Sequence, residues 1–281
     1  MPFVSSYNMI QKAQKGGYAV PAFNAENLEM VQAIIDAAEE TNSPVMIQTT
    51  PTTVNYLTLE EAYAMVSARA AQSPVEVALH LDHCEKFDDV MRAIHAGYTS
   101  VMIDGSKLPY EDNVAVASQV VKTARPMGIT VEAELGTVGG KEDSLSSSIS
   151  YTDPDQAVDY ATRTGVDLFA VAIGTAHGFY KGEPKLNFDL LQEIRSRIDT
   201  PLVLHGGSGI PDEMIQKTIR LGICKVNFAT ELRAAATKAV REALKDESII
   251  DPKKYMGKAR TAVKELCIHK ILLCGSNGKN D

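Results

Sequence analysis

Four histidines and three carboxylates in this chain stand where short apolar runs end. His80-Leu81-Asp82-His83 closes one run, Asp104, Glu134 and His205 close or follow three others, and His177 comes just after a fourth. Three imidazoles from different strands, with carboxylates beside them, are a common way to hold zinc with one coordination position open. His80 and His83 compete for one of those places. Strand alternation sets His80 and Asp82 on one side and His83 on the other. Asp82 and His83 therefore serve one site only if the strand ends there and the backbone turns, a point the pattern leaves open. His95 and His269 fall inside helical patterns and are expected to have no part in a site.

A second signal is independent of the histidines. His205-Gly206-Gly207-Ser208-Gly209 follows one run, and Asn227-Phe228-Ala229-Thr230 precedes a helical pattern. Glycines let backbone N–H groups approach an anion, Ser208 and Thr230 add hydroxyls, and the following helix N-termini add positive dipole ends. Phosphate is the anion that suits such a cradle. A third segment, Gly139–Asp153, is rich in glycine, serine and acids and reads as a lid or active-site loop. Its Gly139-Gly140-Lys141-Glu142-Asp143 start offers a hinge followed by a carboxylate, suited to removing a proton next to a carbonyl. Composition alone favours a merely solvated acidic loop.

These residues need a frame that gathers strand ends. Eight candidate strands occur: Tyr18–Phe23, Pro44–Gln48, Glu76–Leu81, Ser100–Ile103, Thr130–Glu134, Leu168–Ile173, Pro201–Leu204 and Cys224–Asn227. Several are near-continuous apolar runs, as parallel strands buried on both faces require. Helical periodicity lies between them, in Asn27–Glu40, Glu111–Arg125, Asp189–Ile198 and from Pro211 onward. Eight βα units predict an α/β chain folded as a single (β/α)8 TIM barrel over 1–281, with an open doubly wound sheet as the alternative. A last helix is expected over Tyr255–Leu273, forming a C-terminal helical extension with a polar tail after it.

Composition removes other classes. The 281 residues carry a formal net charge of −8, which argues against nucleic acid or an anionic membrane as the main partner. No run of about 18 apolar residues occurs. Met1-Pro2-Phe3-Val4-Ser5-Ser6 lacks the features of a secretion signal, and Cys84, Cys224, Cys267 and Cys274 form no C-x-x-C pair, so a cytoplasmic protein is expected.

With these residues in hand, the chain resembles the class II fructose- or tagatose-bisphosphate aldolases along essentially its whole length. The segments that carry the resemblance are Pro21-Ala22-Phe23-Asn24, His80-Leu81-Asp82-His83, Ser100 to Ser106 and Val131 to Gly136. They continue with Gly139 to Asp143, Ala172 to Gly178, Leu204 to Gly209 and Asn227 to Glu231. The resemblance implies that His83, His177 and His205 hold a catalytic zinc, with Asp104 and Glu134 at an alternative, more buried metal position. It implies that Asp82 exchanges the proton on the C4 oxygen and that lid residue Glu142 handles the proton at C3. Asn24, Gly178, Gly206, Gly207, Ser208, Asn227, Phe228, Ala229 and Thr230 match substrate-binding positions, beside a monovalent cation (Na+ or K+). Arg260 is a candidate for a second phosphate, within the chain or across a subunit contact. A homodimer or homotetramer acting on a phosphorylated sugar is implied as well.

Some residues depart from the pattern. Cys84 stands where glycine or histidine is frequent, Lys141 where glutamine is, and Phe228 where a smaller aliphatic residue is. Gly206-Gly207-Ser208 leans toward fructose-type members, whereas Ala172 to His177 and Thr230-Glu231-Leu232 lean toward tagatose-type ones. Phe228 also raises another phosphorylated aldehyde as the substrate. Two rivals remain: a metal-free aldolase using Lys225 as a Schiff-base lysine, and a non-catalytic barrel that binds a sugar phosphate.

Overall fold

The computed structural model describes residues 3–142, 145–147, 150–180 and 182–280, with backbone alone for 141, 142 and 145–147. Eight strands form where the apolar runs predicted them: β1 (Val20–Asn24), β2 (Val45–Thr49), β3 (Val77–Cys84), β4 (Ser100–Ile103), β5 (Thr130–Leu135), β6 (Leu168–Val171), β7 (Leu202–Leu204) and β8 (Ile223–Phe228). All run parallel, each bonded to the next, and β8 returns to β1 to close a barrel. Helices surround it, as in a (β/α)8 barrel, and the open-sheet alternative falls.

Alternation divides the strand side chains into two populations. Val77, Leu79, Leu81, Val131, Ala133, Phe169, Leu202 and Leu204 join the larger apolar cluster under the helices. Val20, Ala22, Met46, Ala78, Leu168, Ala170 and Val203 form a smaller cluster with Met9, Ile10 and Ala13 of helix Ser6–Gly16. That helix plugs the N-terminal mouth of the barrel. Farther along the same strands the inward residues turn polar: Asn24, Gln48, His80, Asp82, Glu132, Glu134, Lys225 and Asn227 are all buried. A barrel interior is a packed core, so polar side chains there must satisfy one another.

The helices obey local rules. Helix Leu28–Thr41 starts where the Asn27 side chain accepts the Met30 N–H at 3.0 Å, and it stops at Asn42 in the left-handed region. Helix Pro252–Cys274 is the expected extension; it begins earlier than its apolar pattern because Asp251 caps it and Pro252 suits a first turn. It packs against helices Leu28–Thr41 and Thr230–Ala243. Among the described residues no helix is long and apolar enough to cross a membrane.

Two features differ from the sequence pattern. β6 stops at Val171 rather than Ile173, because the Ala172 N–H turns to the Thr152 hydroxyl at 2.8 Å. The expected loop after Gly139 contains strand Gly139–Glu142, which pairs with Ala176–His177 on one side and Leu145–Ser147 on the other. Glycine serves here where a strand pattern would ask for a β-branched residue. Gly140 has φ 87°, and a Cβ there would meet the His177 carbonyl oxygen at 2.3 Å. Asp143, Ser144, Ser148 and Ile149 of the expected lid lie outside the described residues.

The barrel wall depends on large side chains between strand and helix. Phe169 is fully buried and stacks on Tyr160 with ring centroids 5.2 Å apart. Phe169→Ala is expected to remove about 3–5 kcal/mol of unfolding free energy, as read by denaturant titration.

Candidate active site

The end of β3 determines which histidine faces the open mouth. β3 and β4 keep register to Leu81↔Val101, then slip so that Cys84 pairs with Ile103. The slip falls on Asp82 and His83. His83 takes φ 47°, a conformation that costs a non-glycine residue about 1–3 kcal/mol. Its N–H points to Met102 Sδ at 3.4 Å. Through this departure from alternation, Asp82 and His83 share one end of the barrel. His80 stays inside, with Nδ1 2.8 Å from Ser100 Oγ. Burial, then the Lys225 charge, hold its pKa well below the usual histidine range, so it is neutral.

His83, His177 and His205 each offer a ring nitrogen, and these atoms lie within 4.8 Å of one another. The His83 ring sits 4.8 Å from that of His177 and 4.5 Å from that of His205, edge to face in both cases. Neighbouring carboxylates fix two of these rings. His83 Nδ1 is 3.0 Å from Asp104 Oδ2, which leaves Nε2 for the cluster. His205 Nε2 is 2.8 Å from Glu132 Oε1, which leaves Nδ1. Carboxylates that orient imidazoles in this way are a recurrent part of metal sites.

The donor set fits a divalent ion. His205 Nδ1 and Glu134 Oε2 stand 3.1 Å apart, both buried, without the alignment of a hydrogen bond. That is an arrangement two ligand atoms adopt around a shared cation. Burial opposes charge on His205, and so does His83, but Glu132 and Glu134 still push its pKa up to about 9. A metal binding there at neutral pH displaces a proton. His83, Asp104 and Glu134 form a second convergent group. Burial would raise the Asp104 pKa, but hydrogen bonds from His83 and Ser106 hold it well below the usual carboxylate range.

Asp82 is fully buried beside the cluster and its carboxylate is aimed by amides. Gln48 Nε2 donates to Oδ2 at 2.8 Å, and Asn227 Nδ2 approaches Oδ1 and Oδ2 at 3.3 and 3.4 Å. The same Gln48 Nε2 lies 2.8 Å from Asn24 Oδ1. Asn24, Gln48 and Asn227, from three strands, thus hold one carboxylate in place.

Two cavities meet at His177. The larger, about 340 Å³, runs past His83, Asp104 and Glu134 to Thr50, Asn55 and Lys107. The smaller is walled by Asn24, Gly178, Gly206, Ser208, Asn227, Ala229 and Thr230. Gly206 is required in this wall: its φ is 66°, and a Cβ would meet the Ala176 carbonyl oxygen at 2.6 Å. Ser208 Oγ accepts the Ala229 N–H at 3.1 Å at the start of helix Thr230–Ala243. The wall therefore combines a glycine loop with a helix N-terminus.

Some expected residues lie elsewhere. The Phe228 ring is fully buried and stacks on Phe23 at 5.8 Å, away from the smaller cavity. Arg260 donates to Asp36 and, at 2.9 Å, to Gln32 on helix Leu28–Thr41, so within its own chain it does not reach the cavities. These two acceptors hold the guanidinium on the helix layer. Gly207 packs behind the loop, where a Cβ would meet the Asn227 carbonyl oxygen at 2.7 Å. The Glu142 backbone lies in strand Gly139–Glu142, and its side chain is outside the described residues. His269 pairs with Asp212 at 3.0 Å, where both side chains are about half exposed.

Sequence reasoning passed over Gln48 and Glu132 and named Lys225 only in a rival reading. Lys225 has no exposed surface, and its Nζ is 2.8 Å from Glu132 Oε2. This ion pair inside the barrel gives Lys225 a role other than a Schiff-base nucleophile. The signal was present: period two puts Glu132 on the face of Glu134, and Lys225 on the face of Asn227.

Comparisons with known proteins agree with this geometry. The family described as fructose-bisphosphate aldolase class-II matches residues 4–279. The YdjI aldolase from Escherichia coli K12 is 37% identical, with 99% of this chain and 100% of that chain covered and a TM-score of 0.89. A putative fructose-1,6-biphosphate aldolase from Coccidioides immitis is 27% identical over 97% and 96% of the two chains, with a TM-score of 0.86. Fructose-bisphosphate aldolase from Campylobacter jejuni, at 22% identity over 99% and 97%, shares the fold with a TM-score of 0.85.

The Glu132–Lys225 pair yields a stability test. Burial would raise the Glu132 pKa, but Lys225 and His205 hold it well below the usual range. Its contribution is therefore present above the ordinary glutamate pKa and is lost as pH falls through the lowered one. Lys225→Met strands a buried carboxylate and is expected to cost about 3–5 kcal/mol. Adding Glu132→Gln should restore most of that loss in denaturant titrations at pH 7, and should flatten the acid limb of stability against pH.

Proposed function

Because the chain belongs to the class II fructose-bisphosphate aldolase family, we propose that it cleaves and forms a ketose 1,6-bisphosphate, fructose or tagatose, with zinc as its metal. The products of cleavage are dihydroxyacetone phosphate and glyceraldehyde 3-phosphate. The observation that carries this reading is the imidazole cluster, joined through His177 to the glycine-loop cavity and, through Asn227 of that cavity, to the amide-held Asp82. Metal ligand, proton acceptor and phosphate cradle are what such a cleavage needs within one substrate length.

His83, His177 and His205 would hold the ion, with Asp104 and Glu134 as the deeper alternative. When bound, the metal supplies Lewis-acid stabilisation of negative charge developing on substrate oxygens. The remaining work falls to the chain. The Gly206–Ser208 loop and the Asn227–Thr230 turn grip the phosphate of the three-carbon fragment, and this turns proton transfer into a problem of orientation already solved. Asp82 takes the proton of the C4 hydroxyl, and the C3–C4 bond breaks with release of the aldehyde. Its electron pair stays on the three-carbon fragment as an enediolate. Glu142, carried by the strand that pairs with Ala176–His177, returns a proton to C3. Gln48 and Asn227 keep Asp82 aligned through hydrogen bonds to its carboxylate.

A homodimer or homotetramer and a monovalent cation near the phosphate loop complete the proposal. Cleavage of fructose 1,6-bisphosphate and tagatose 1,6-bisphosphate is to be measured side by side, before and after chelation and with zinc restored. Activity on one of the two sugars should vanish with the chelator and return with zinc; indifference to chelation would sink the metal reading. Asp82→Ala should lower kcat by about 10²–10⁴-fold, as loss of a positioned acid–base group does, with metal content unchanged. Glu142→Ala should slow exchange of the C3 proton of dihydroxyacetone phosphate with solvent, and an unchanged exchange rate would assign that proton to another group.

A further inference from the structure

We propose that Lys270 is a positioning residue for phosphate: from helix Pro252–Cys274 it cancels the charge of Glu231, the acid that braces the Gly206–Gly209 loop from behind. The inference rests on the reading above, in which that loop holds the substrate phosphate.

Glu231 lies in the first turn of helix Thr230–Ala243, beside the smaller cavity. Its Oε1 accepts the Gly209 N–H at 2.6 Å, and its own N–H approaches Ser208 Oγ at 3.5 Å. An acid suits a helix N-terminus, and here it also ties the loop to the helix. The tie has an electrostatic cost. A carboxylate behind an anion-binding loop repels the anion, and it occupies one of the N–H groups that would attract it.

Lys270 answers that cost. It is 4% exposed, and its Nζ lies 2.8 Å from Glu231 Oε2 and 5.2 Å from the centre of the Phe228 ring. A lysine so buried is rare unless paired. The ring face and the carboxylate together compensate the ammonium group for its lost water. Phe228 thereby acquires a role: within the phosphate motif it forms the floor on which this cation sits. The C-terminal helix, remote in sequence from His83, His177 and His205, thus sets the charge behind the phosphate loop.

The test uses zinc-loaded protein, wild type and the variants Lys270→Met, Glu231→Gln and the two combined. Equilibrium binding of dihydroxyacetone phosphate, inorganic phosphate and uncharged dihydroxyacetone is measured for each. Lys270→Met should weaken both phosphate probes about tenfold, while dihydroxyacetone changes by less than about twofold. Glu231→Gln should bind the phosphate probes at least as tightly as wild type, because its amide oxygen still accepts the Gly209 N–H without the charge. The combined variant should return to within about threefold of wild type.

A purely mechanical brace predicts the opposite sign for Glu231→Gln, and weaker phosphate binding by that variant would overturn the proposal. Equal losses for charged and uncharged probes in Lys270→Met would do the same. If Lys270→Met does not fold, the sign for Glu231→Gln and the recovery in the combined variant decide. Wild-type protein that binds neither phosphate probe would remove the functional reading and this inference together. Wild-type binding that Lys270→Met leaves unchanged would remove this inference alone.

Discussion

The carboxylate of Glu132, fully buried in the barrel, lies between Lys225 and His205. An isolated charge at that depth is untenable. With Lys225 on one oxygen and His205 on the other, the carboxylate is both neutralised and directional. It turns the His205 ring so that Nδ1 faces Glu134 and the histidine cluster. The cluster at the mouth therefore depends on an ion pair beneath it, and the polar upper barrel is one connected network. Such a network tolerates its own burial only when nearly every member has a partner.

The barrel supplies the second condition, which is a floor. Met9, Ile10 and Ala13 of the N-terminal helix seal the lower mouth against Val20, Met46 and Val203. Ser6 Oγ donates to Ser100 Oγ at 3.1 Å, and Ser100 in turn meets His80. The plug is thus hydrogen-bonded to the underside of the polar network. Apolar packing keeps water out from below, and electrostatic interactions above gain strength from the low local dielectric.

Function then enters through irregularities in this regular frame. The slip between β3 and β4 brings His83 to the end that Asp82 faces, at the cost of a left-handed backbone. Gly140 and Gly206 let two segments approach the backbone around His177, one at the His177 carbonyl and one at the Ala176 carbonyl. His177 is held on both sides and lies where the two cavities meet. Each irregularity brings chain closer to the histidine cluster or the glycine-loop cavity than ideal strand geometry allows.

Much of this was legible in the residues. The eight apolar runs fell on the eight strands to within a few residues, since parallel strands buried on both faces have little choice of composition. The strand-end histidines and the glycine loop also stood out in the residues, and the barrel gathers them around His177. What remained open was which of His80 and His83 faced the mouth. That followed from a register slip fixed by contacts with β4, and alternation cannot foresee it. Nor could it foresee that Lys225 would meet Glu132, 93 residues away, or that Lys270 would pair with Glu231 behind the glycine loop. Local pattern determines which side of a strand or helix a residue lies on. Which charges then share the dry interior is decided only when the barrel closes, since a buried ion is stable only opposite its partner.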